Sequence, residues 1–471
     1  MQKDRRQKQL GYIWLVAERR KNPSQNRKET VKIPRPDLNS LVLCISALIF
    51  LSGGQEAFHN SCDFVPVYTG ARCLLHGCNP YDTSQLDQQY SQAGGRADER
   101  LPWYREVPMY PPSIFLVLSP LTLFRFPVAR ALWLLLNGCL FVISAGLILS
   151  MCPRSHRWLA TILLSLILIS SKIQLEVGNP TTFAISLLVI GSYFFLRGRF
   201  LPLGALLLML SLAVKPTIGG LIVFSLLVWR IHRRYALVAV AGALALLLSA
   251  GLILSLHPRS ADWTSTLRTN ISASMEAGAV NDFRPSDKES FYFINLQAVT
   301  SVFFADAREF NAAAYAVFLA LLAVWIAAVL RTNAGPEMYL LSLGALAALS
   351  LTPVYHRFYD TRLLIITIPA VVIVYQKRRI LGAFIGALTV LAVISVQSRV
   401  QVFFLHHAMW QSILQNKYLF ILLLRQQNLA LPILFCLYMV AIFSIRFPSA
   451  PAHGVSSTAS SGSGLNCIKT A

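Results

Sequence analysis

Charge is what this sequence has least of. Of 471 residues, 13% are charged and 55% hydrophobic, whereas soluble globular chains carry about a quarter charged residues. Acids are scarcer still, 21 against 42 Lys and Arg, for a net charge of +21. The sequence also lacks a P-loop, a Gly-x-Gly-x-x-Gly turn and an Asp-x-Asp in its polar loops. A nucleotide site of any of those kinds is therefore excluded. No Cys or His spacing suggests zinc, and no internal repeat is evident. About 36 polar, basic residues precede the first apolar run and no small-residue cleavage site follows it, so that run is expected to be a retained anchor and not a signal peptide.

What is abundant is apolar sequence. Runs long enough to cross a hydrocarbon core of roughly 30 Å recur from residue 38 to residue 446. The expected architecture is an all-α polytopic membrane protein, a helical bundle of roughly 11–13 transmembrane helices with two long outer-face loops. Residues 1–37 read as a basic cytoplasmic tail, 38–446 as the membrane domain and 447–471 as a disordered, Ser/Gly/Pro-rich tail. The stretch 113–124 follows a Pro pair and is only a dozen residues long, so a re-entrant or interfacial segment is expected there.

The charge distribution orients the bundle. The loops 54–112 and 257–311 carry four and five basic residues against seven acids each. The other 33 Lys and Arg gather in the N-terminal tail and in short connections such as Arg197/Arg199 and Lys377/Arg378/Arg379. The positive-inside rule puts those in the cytoplasm and both long loops outside. Read this way, the excess charge is a topology signal with no nucleic-acid partner implied, and the plasma (inner) membrane is the expected location. Cys62, Cys73 and Cys78 share the first outer loop. An oxidising exterior permits a Cys73–Cys78 bridge, although the sequence does not choose the pairing.

The candidate chemistry gathers at the outer ends of spans. The first loop opens with Asp63 and continues through Tyr68, Arg72, Tyr81 and Asp82 to Tyr110. Two pairs of spans are broken by Gly178-Asn179-Pro180 and by Lys215-Pro216. Such breaks mark binding sites in some membrane proteins, although an ordinary tight hairpin is the favoured reading. A late segment holds His356, Arg357, Asp360 and Arg362, where Asp360 and Arg362 suggest a local salt bridge. His406-His407 point about 100° apart on a helix and read as surface. A carboxylate beside cations suits attack on a lipid-phosphate sugar. Asp63 would take the proton of an acceptor hydroxyl, while Lys215, Arg357 or Arg362 would stabilise the departing phosphate.

DFVPVYTGARCLLHGCNPYD followed by MYPPSIFLVLSPLTLF resembles the opening of glycosyltransferase family 87, membrane enzymes of the GT-C fold. EVGNPTTFAISLLVIGSYFFLRGR resembles that family's Gly-Gln-x-Asn-type segment, LPLGALLLMLSLAVKPTIGGLIVF its span ending in Lys-Pro, and LSLTPVYHRFYDTRLL its late Ser-Pro-x-x-x-His segment. The resemblance covers roughly residues 38–375. It implies inverting transfer of a hexose, typically mannose, from a polyprenyl-phosphate donor to a lipid or glycan acceptor at the outer face, with no cofactor or metal. By position, Asp63 and His356 match the family's catalytic residues, and Lys215 a lysine at the donor phosphate. Arg357 and Arg362 would join Lys215, with Tyr68, Arg72, Tyr81, Tyr110 and Asn179 contacting substrate. The chain departs from the family pattern at Asn179-Pro180, where Gln is usual, and at Val354-Tyr355, where Trp is frequent. A flippase or transporter, or a polymerase or ligase of lipid-linked glycans, is the alternative.

Overall fold

The computed structural model describes residues 37–96, 109–287, 290–332, 335–394 and 415–445, with Phe403 and Ser412 singly. The tail before Asp37, residues 447–471 and His406-His407 lie outside the described residues. In chain order the described helices are α1 (Leu38–Asn60), α2 (Phe64–His76), α3 (Thr83–Gln92), α4 (Pro112–Leu118), α5 (Phe126–Met151), α6 (Arg157–Ser170) and α7 (Lys172–Val177). Next come α8 (Pro180–Arg197), α9 (Leu201–Val214), α10 (Pro216–Val228), α11 (Arg233–Leu256), α12 (Trp263–Ser274), α13 (Gln297–Thr300) and α14 (Ala307–Arg331). The last are α15 (Pro336–Ser350), α16 (Ile368–Lys377), α17 (Arg379–Val393), α18 (Lys417–Leu424) and α19 (Gln426–Ser444).

The chain is an all-α polytopic membrane protein. Among the described residues, eight helical stretches are long and apolar enough to cross a membrane. The expectation of 11–13 counted shorter segments as spans. Helices α9 and α10, of 14 and 13 residues, rise only about 20 Å each at 1.5 Å per residue, short of the roughly 30 Å core. The stretch Pro112–Leu123 is likewise a short apolar helix, of the length expected for it. Helices α1, α11 and α14 leave Leu41, Leu48, Leu244, Leu248 and Leu319 exposed. Apolar faces of that extent are what a lipid-facing helix presents.

Helix α15 is the opposite case. Every residue from Met338 to Ser350 is buried, so it is apolar all round and packs on all sides. Its small residues allow this. A Cβ on Gly344 would lie 2.9 Å from the Tyr438 ring of α19, and small side chains of this kind let membrane helices approach closely. From this enclosed helix the chain emerges directly into the late polar segment 351–360.

Four helix junctions meet at one end of the bundle: Ser61–Asp63, Gly178-Asn179, Lys215 and 351–360. They are joined by the Asp63–Asn179, Lys215–Asp360 and Thr181–Asp360 contacts. Connections rich in basic residues meet at the other end, where Lys377 pairs with Glu337 at 2.9 Å and Arg378 donates to the Ser444 carbonyl. The two loops expected outside also pack on one another. Asn79 donates to Asp262 and Thr266 (both 3.1 Å), and Trp263 stacks on Tyr81.

The Gly178 junction shows how tightly these ends are set. Gly178 has φ +69°, a conformation glycine adopts without strain. Its carbonyl accepts from Trp133 Nε1 at 2.8 Å, and Trp133 stacks on Phe64 with centroids 5.3 Å apart. A Cβ on Gly178 would sit 2.9 Å from the Phe64 Cβ. Gly178→Ala is therefore expected to lower stability by about 1–3 kcal/mol through left-handed strain alone, read as a lower Tm of the purified protein. An unchanged Tm would show that this junction is not constrained.

Candidate functional site

Asp63 occupies the N-cap position of α2, yet its side chain makes no capping bond. Its backbone N–H is tied to the Val177 carbonyl at 3.0 Å, and the Phe64 stack fixes the next residue. The carboxylate is left to face Asn179, whose Nδ2 donates to Oδ2 at 2.6 Å. Asn179 serves two masters: its Oδ1 caps α8 by accepting from Thr181 N–H at 2.8 Å. The break expected to be an ordinary hairpin thus carries a direct partner of Asp63. Burial raises the Asp63 carboxyl above its usual range, and the Asn179 hydrogen bond and the Arg357 and Lys215 charges oppose that rise.

Two residues on, Thr181 joins a second cluster. Lys215 lies between α9 and α10, where Pro216 occupies the first turn of the next helix and stops α9 from continuing. Its ammonium is 2.6 Å from Asp360 Oδ1, donates to Thr181 Oγ1 at 2.8 Å and lies 5.5 Å from the Tyr359 ring centroid. Thr181 in turn donates to Asp360 Oδ1 at 2.9 Å. The other carboxylate oxygen meets His356 Nδ1 at 2.8 Å, and His356 Nε2 donates to the Ser350 carbonyl at 3.1 Å. Asp360 and His356 are both fully buried. The four junction residues Asp63, Asn179, Lys215 and His356 thus belong to one network, with Thr181 and Asp360 as its links.

The other candidate residues fall into two groups. Arg357 is half-buried, its Nε donates to the Tyr355 hydroxyl at 2.6 Å, and its charge is felt at Asp63. Arg362 instead points into the packing. It donates to the carbonyls of Phe358, Val393 and Ser170 and to the Thr361 hydroxyl. No ion pair between Arg362 and Asp360 forms among the described residues. Asp360 takes Lys215 and His356 in its place. Tyr68 is buried, donates to the Phe124 carbonyl at 2.7 Å and packs on Phe64 and Phe126. Arg72 lies one helical turn further along α2, against the Tyr68 hydroxyl. Tyr81 donates to the Tyr110 carbonyl at 2.8 Å, while its own carbonyl accepts from Asn270 at 2.9 Å. Tyr81 thus helps hold the two loops together. Cys73 and Cys78 form a disulfide that closes the end of α2. Among the described residues, no group of three or more His, Cys, Asp or Glu side chains forms that could hold a metal ion.

Of the network members, Thr181 is not among the candidates read from the sequence, and Asp360 is read there only as a partner of Arg362. Asp360 had a legible signal: a lysine at a helix break in an apolar chain needs a counter-ion, and acids are few. Thr181 had none beyond following the Asn-Pro break.

The fold and this network define a multi-pass membrane protein with a polar, charge-paired site built at helix junctions. The family model described as glycosyltransferase family 87 matches residues 109–353, more than half of the chain, and the protein belongs to that family. It is a membrane glycosyltransferase. The matched segment contains Asn179, Thr181 and Lys215; Asp63 precedes it, and His356 and Asp360 follow it. No curated protein and no solved structure matches the chain.

The two arginines should separate in experiment. Arg362→Gln leaves several buried carbonyls without donors and is expected to cost about 3 kcal/mol or more, read as a large fall in Tm. Arg357→Gln should stay within about 1 kcal/mol, as expected for a half-exposed cation. Equal losses would mean that Arg357 is also a packing residue.

Proposed function

We propose that the protein transfers a hexose, with mannose the first to test, from a polyprenyl-phosphate donor to an acceptor hydroxyl at the outer face of the plasma membrane. Asp63 accepts the acceptor's proton as the hydroxyl oxygen attacks the anomeric carbon. The bond from that carbon to the phosphate oxygen breaks, and polyprenyl phosphate leaves. One displacement inverts the anomeric centre. Lys215 and Arg357 stabilise the charge that develops on the leaving phosphate.

The observation that carries this reading is the gathering of junctions at Asp63: a half-buried carboxylate held by Asn179 at 2.6 Å, at the start of the same helix whose Thr181 bonds the Lys215 ammonium and Asp360. A carboxylate raised by burial is a stronger base than one in water. A transporter reading calls for ionisable groups at mid-membrane, whereas these lie where helices end. The Cys73–Cys78 disulfide in the same loop and the gathering of basic connections at the other end of the bundle support an outer-face site. The acceptor is a membrane lipid or a lipid-borne glycan, and the tail before the first span is cytoplasmic. No cofactor enters the reaction.

Purified protein given radiolabelled polyprenyl-phosphate mannose and a membrane lipid extract should form a new labelled product. Asp63→Asn keeps the shape and removes the base, so transfer should fall by roughly two to four orders of magnitude. Wild-type transfer by this variant would overturn the assignment.

The pH profile offers an independent check. Asp63 must be unprotonated to accept a proton, so transfer rises with pH through its carboxyl pKa. Because that value is raised, the acid limb should lie above the usual carboxylate range. Asn179→Ser keeps a good N-cap residue but is too short to reach Asp63. Loss of that hydrogen bond should move the acid limb to still higher pH. An unmoved limb would show that another group titrates.

A further inference from the structure

We infer that Asp360 is a positioning residue that sets the Lys215 ammonium in place, with the first turn of α8 as the frame that registers both against Asp63. The inference rests on the reading that Lys215 meets the donor phosphate, and it adds the group through which that lysine is held.

An ammonium has three donors. Lys215 spends one on Asp360 Oδ1 at 2.6 Å and one on Thr181 Oγ1 at 2.8 Å. Its third donor makes no hydrogen bond among the described residues, with the Tyr359 ring centroid 5.5 Å away, and can turn to a ligand. The side chain is 18% exposed, against 0% for Asp360, so the lysine is the member of the pair that a ligand can reach. Asp360 is in turn held from three sides, by Lys215, by Thr181 at 2.9 Å and by His356 at 2.8 Å. The His356 ring is anchored on the Ser350 carbonyl, at the end of the enclosed helix α15. The chain of contacts therefore runs from the most buried helix to the most exposed cation of the network.

Thr181 links this cluster to the base. Asn179 and Thr181 flank Pro180 at the start of α8. The first hydrogen-bonds Asp63 and the second hydrogen-bonds Asp360 and Lys215. One rigid turn thus spaces the general base from the phosphate-facing cation, as in-line attack and departure require. Stability is a poor explanation for the pair, because a buried ion pair is often no better for folding than apolar residues of the same volume. A long lysine left alone beside a helix break would instead sample many rotamers, each with a different reach.

The decisive experiment is a double-mutant cycle on the purified full-length protein, in which coupling separates a residue acting through another from one acting independently. Lys215→Met, Asp360→Asn and the double variant are assayed for transfer from polyprenyl-phosphate mannose, separating kcat from the donor KM. Affinity for polyprenyl phosphate itself is measured alongside by ligand-induced shift in Tm. Each single change should lower donor kcat/KM by about ten- to a hundredfold and weaken polyprenyl phosphate binding, with the acceptor KM unmoved. The double variant should be no more than about threefold worse than the poorer single one. Losses that multiply would overturn the proposal and make Asp360 a purely structural carboxylate. If Asp360→Asn does not fold, Thr181→Val removes the hydroxyl that joins α8 to both partners. It should weaken polyprenyl phosphate binding in the Lys215 background and have no effect in the Lys215→Met background. An equal effect in both backgrounds would also overturn it. The binding arm stays informative when no transfer is seen, so failure of the transfer reading and failure of this coupling are distinguishable.

Discussion

Taking an ammonium and a carboxylate out of water costs several kcal/mol per ion even after relaxation. The Lys215–Asp360 pair meets that cost with hydrogen bonds on every side. Asp360 receives donors from three residues on three different segments, and Lys215 gains a hydroxyl and an aromatic face as well as the carboxylate. Each donor comes from a place where a helix stops: the start of α8, the break between α9 and α10, and the irregular segment after α15. The ion pair can exist because the helices end there, and the helix ends are held together by the ion pair. Asp63 then inherits its position from the same turn of α8.

Irregular backbone near membrane depth is tolerated only where its polar groups find partners in the protein. Long polar side chains from outside the network do that work here. Arg425, which interrupts the apolar run between α18 and α19, is fully buried and donates to the Ser290 and Phe283 carbonyls and to the Ser290 hydroxyl. Asn428 donates to the Phe293 and Asn295 carbonyls. The segment they grip pairs in turn with the late junction, through Ile294 N–H to the His356 carbonyl and Leu296 N–H to the Thr352 carbonyl. Arg362 performs the same service from the ten-residue 3₁₀ stretch Phe358–Thr367, a length at which that geometry is uncommon and needs support.

These roles explain which parts of the site were legible in the residues alone. Membrane class, the shortness of 113–124 and the candidacy of Asp63, Asn179 and Lys215, which the structure joins in one network, follow from local signals: apolar run length, a helix-breaking proline, a charge where charge is costly. Partner choice is a matter of three dimensions. Asp360 and Arg362 are two residues apart and invite pairing, yet on a narrow helix they face different neighbours, one the junction cluster and the other the carbonyls of Ser170 and Val393. The tyrosines of the first loop look like substrate groups because they are polar, aromatic and near Asp63. The hydroxyls of Tyr68 and Tyr81 are spent on the Phe124 and Tyr110 carbonyls, a use that no local pattern announces.

In the proposed reaction, the separation between held and available groups is what the arrangement contributes. Groups that must not move (His356, Asp360, Arg362, Tyr68 and Tyr81) are buried and bonded to backbone or to one another. Asp63, Lys215 and Arg357 retain partial exposure, Asp63 steered by Asn179, Lys215 by Asp360 and Thr181, and Arg357 by Tyr355. Preorganised charge lowers a barrier only if it need not reorient as the reaction proceeds. A carboxylate steered by the helix-capping Asn179 and a lysine clamped by a buried aspartate satisfy that condition, and both requirements are met by three consecutive residues, Asn179, Pro180 and Thr181. The proline makes the combination possible. It starts α8 with no N–H of its own to be left without an acceptor, and leaves its two neighbours free to turn their side chains toward the two carboxylates.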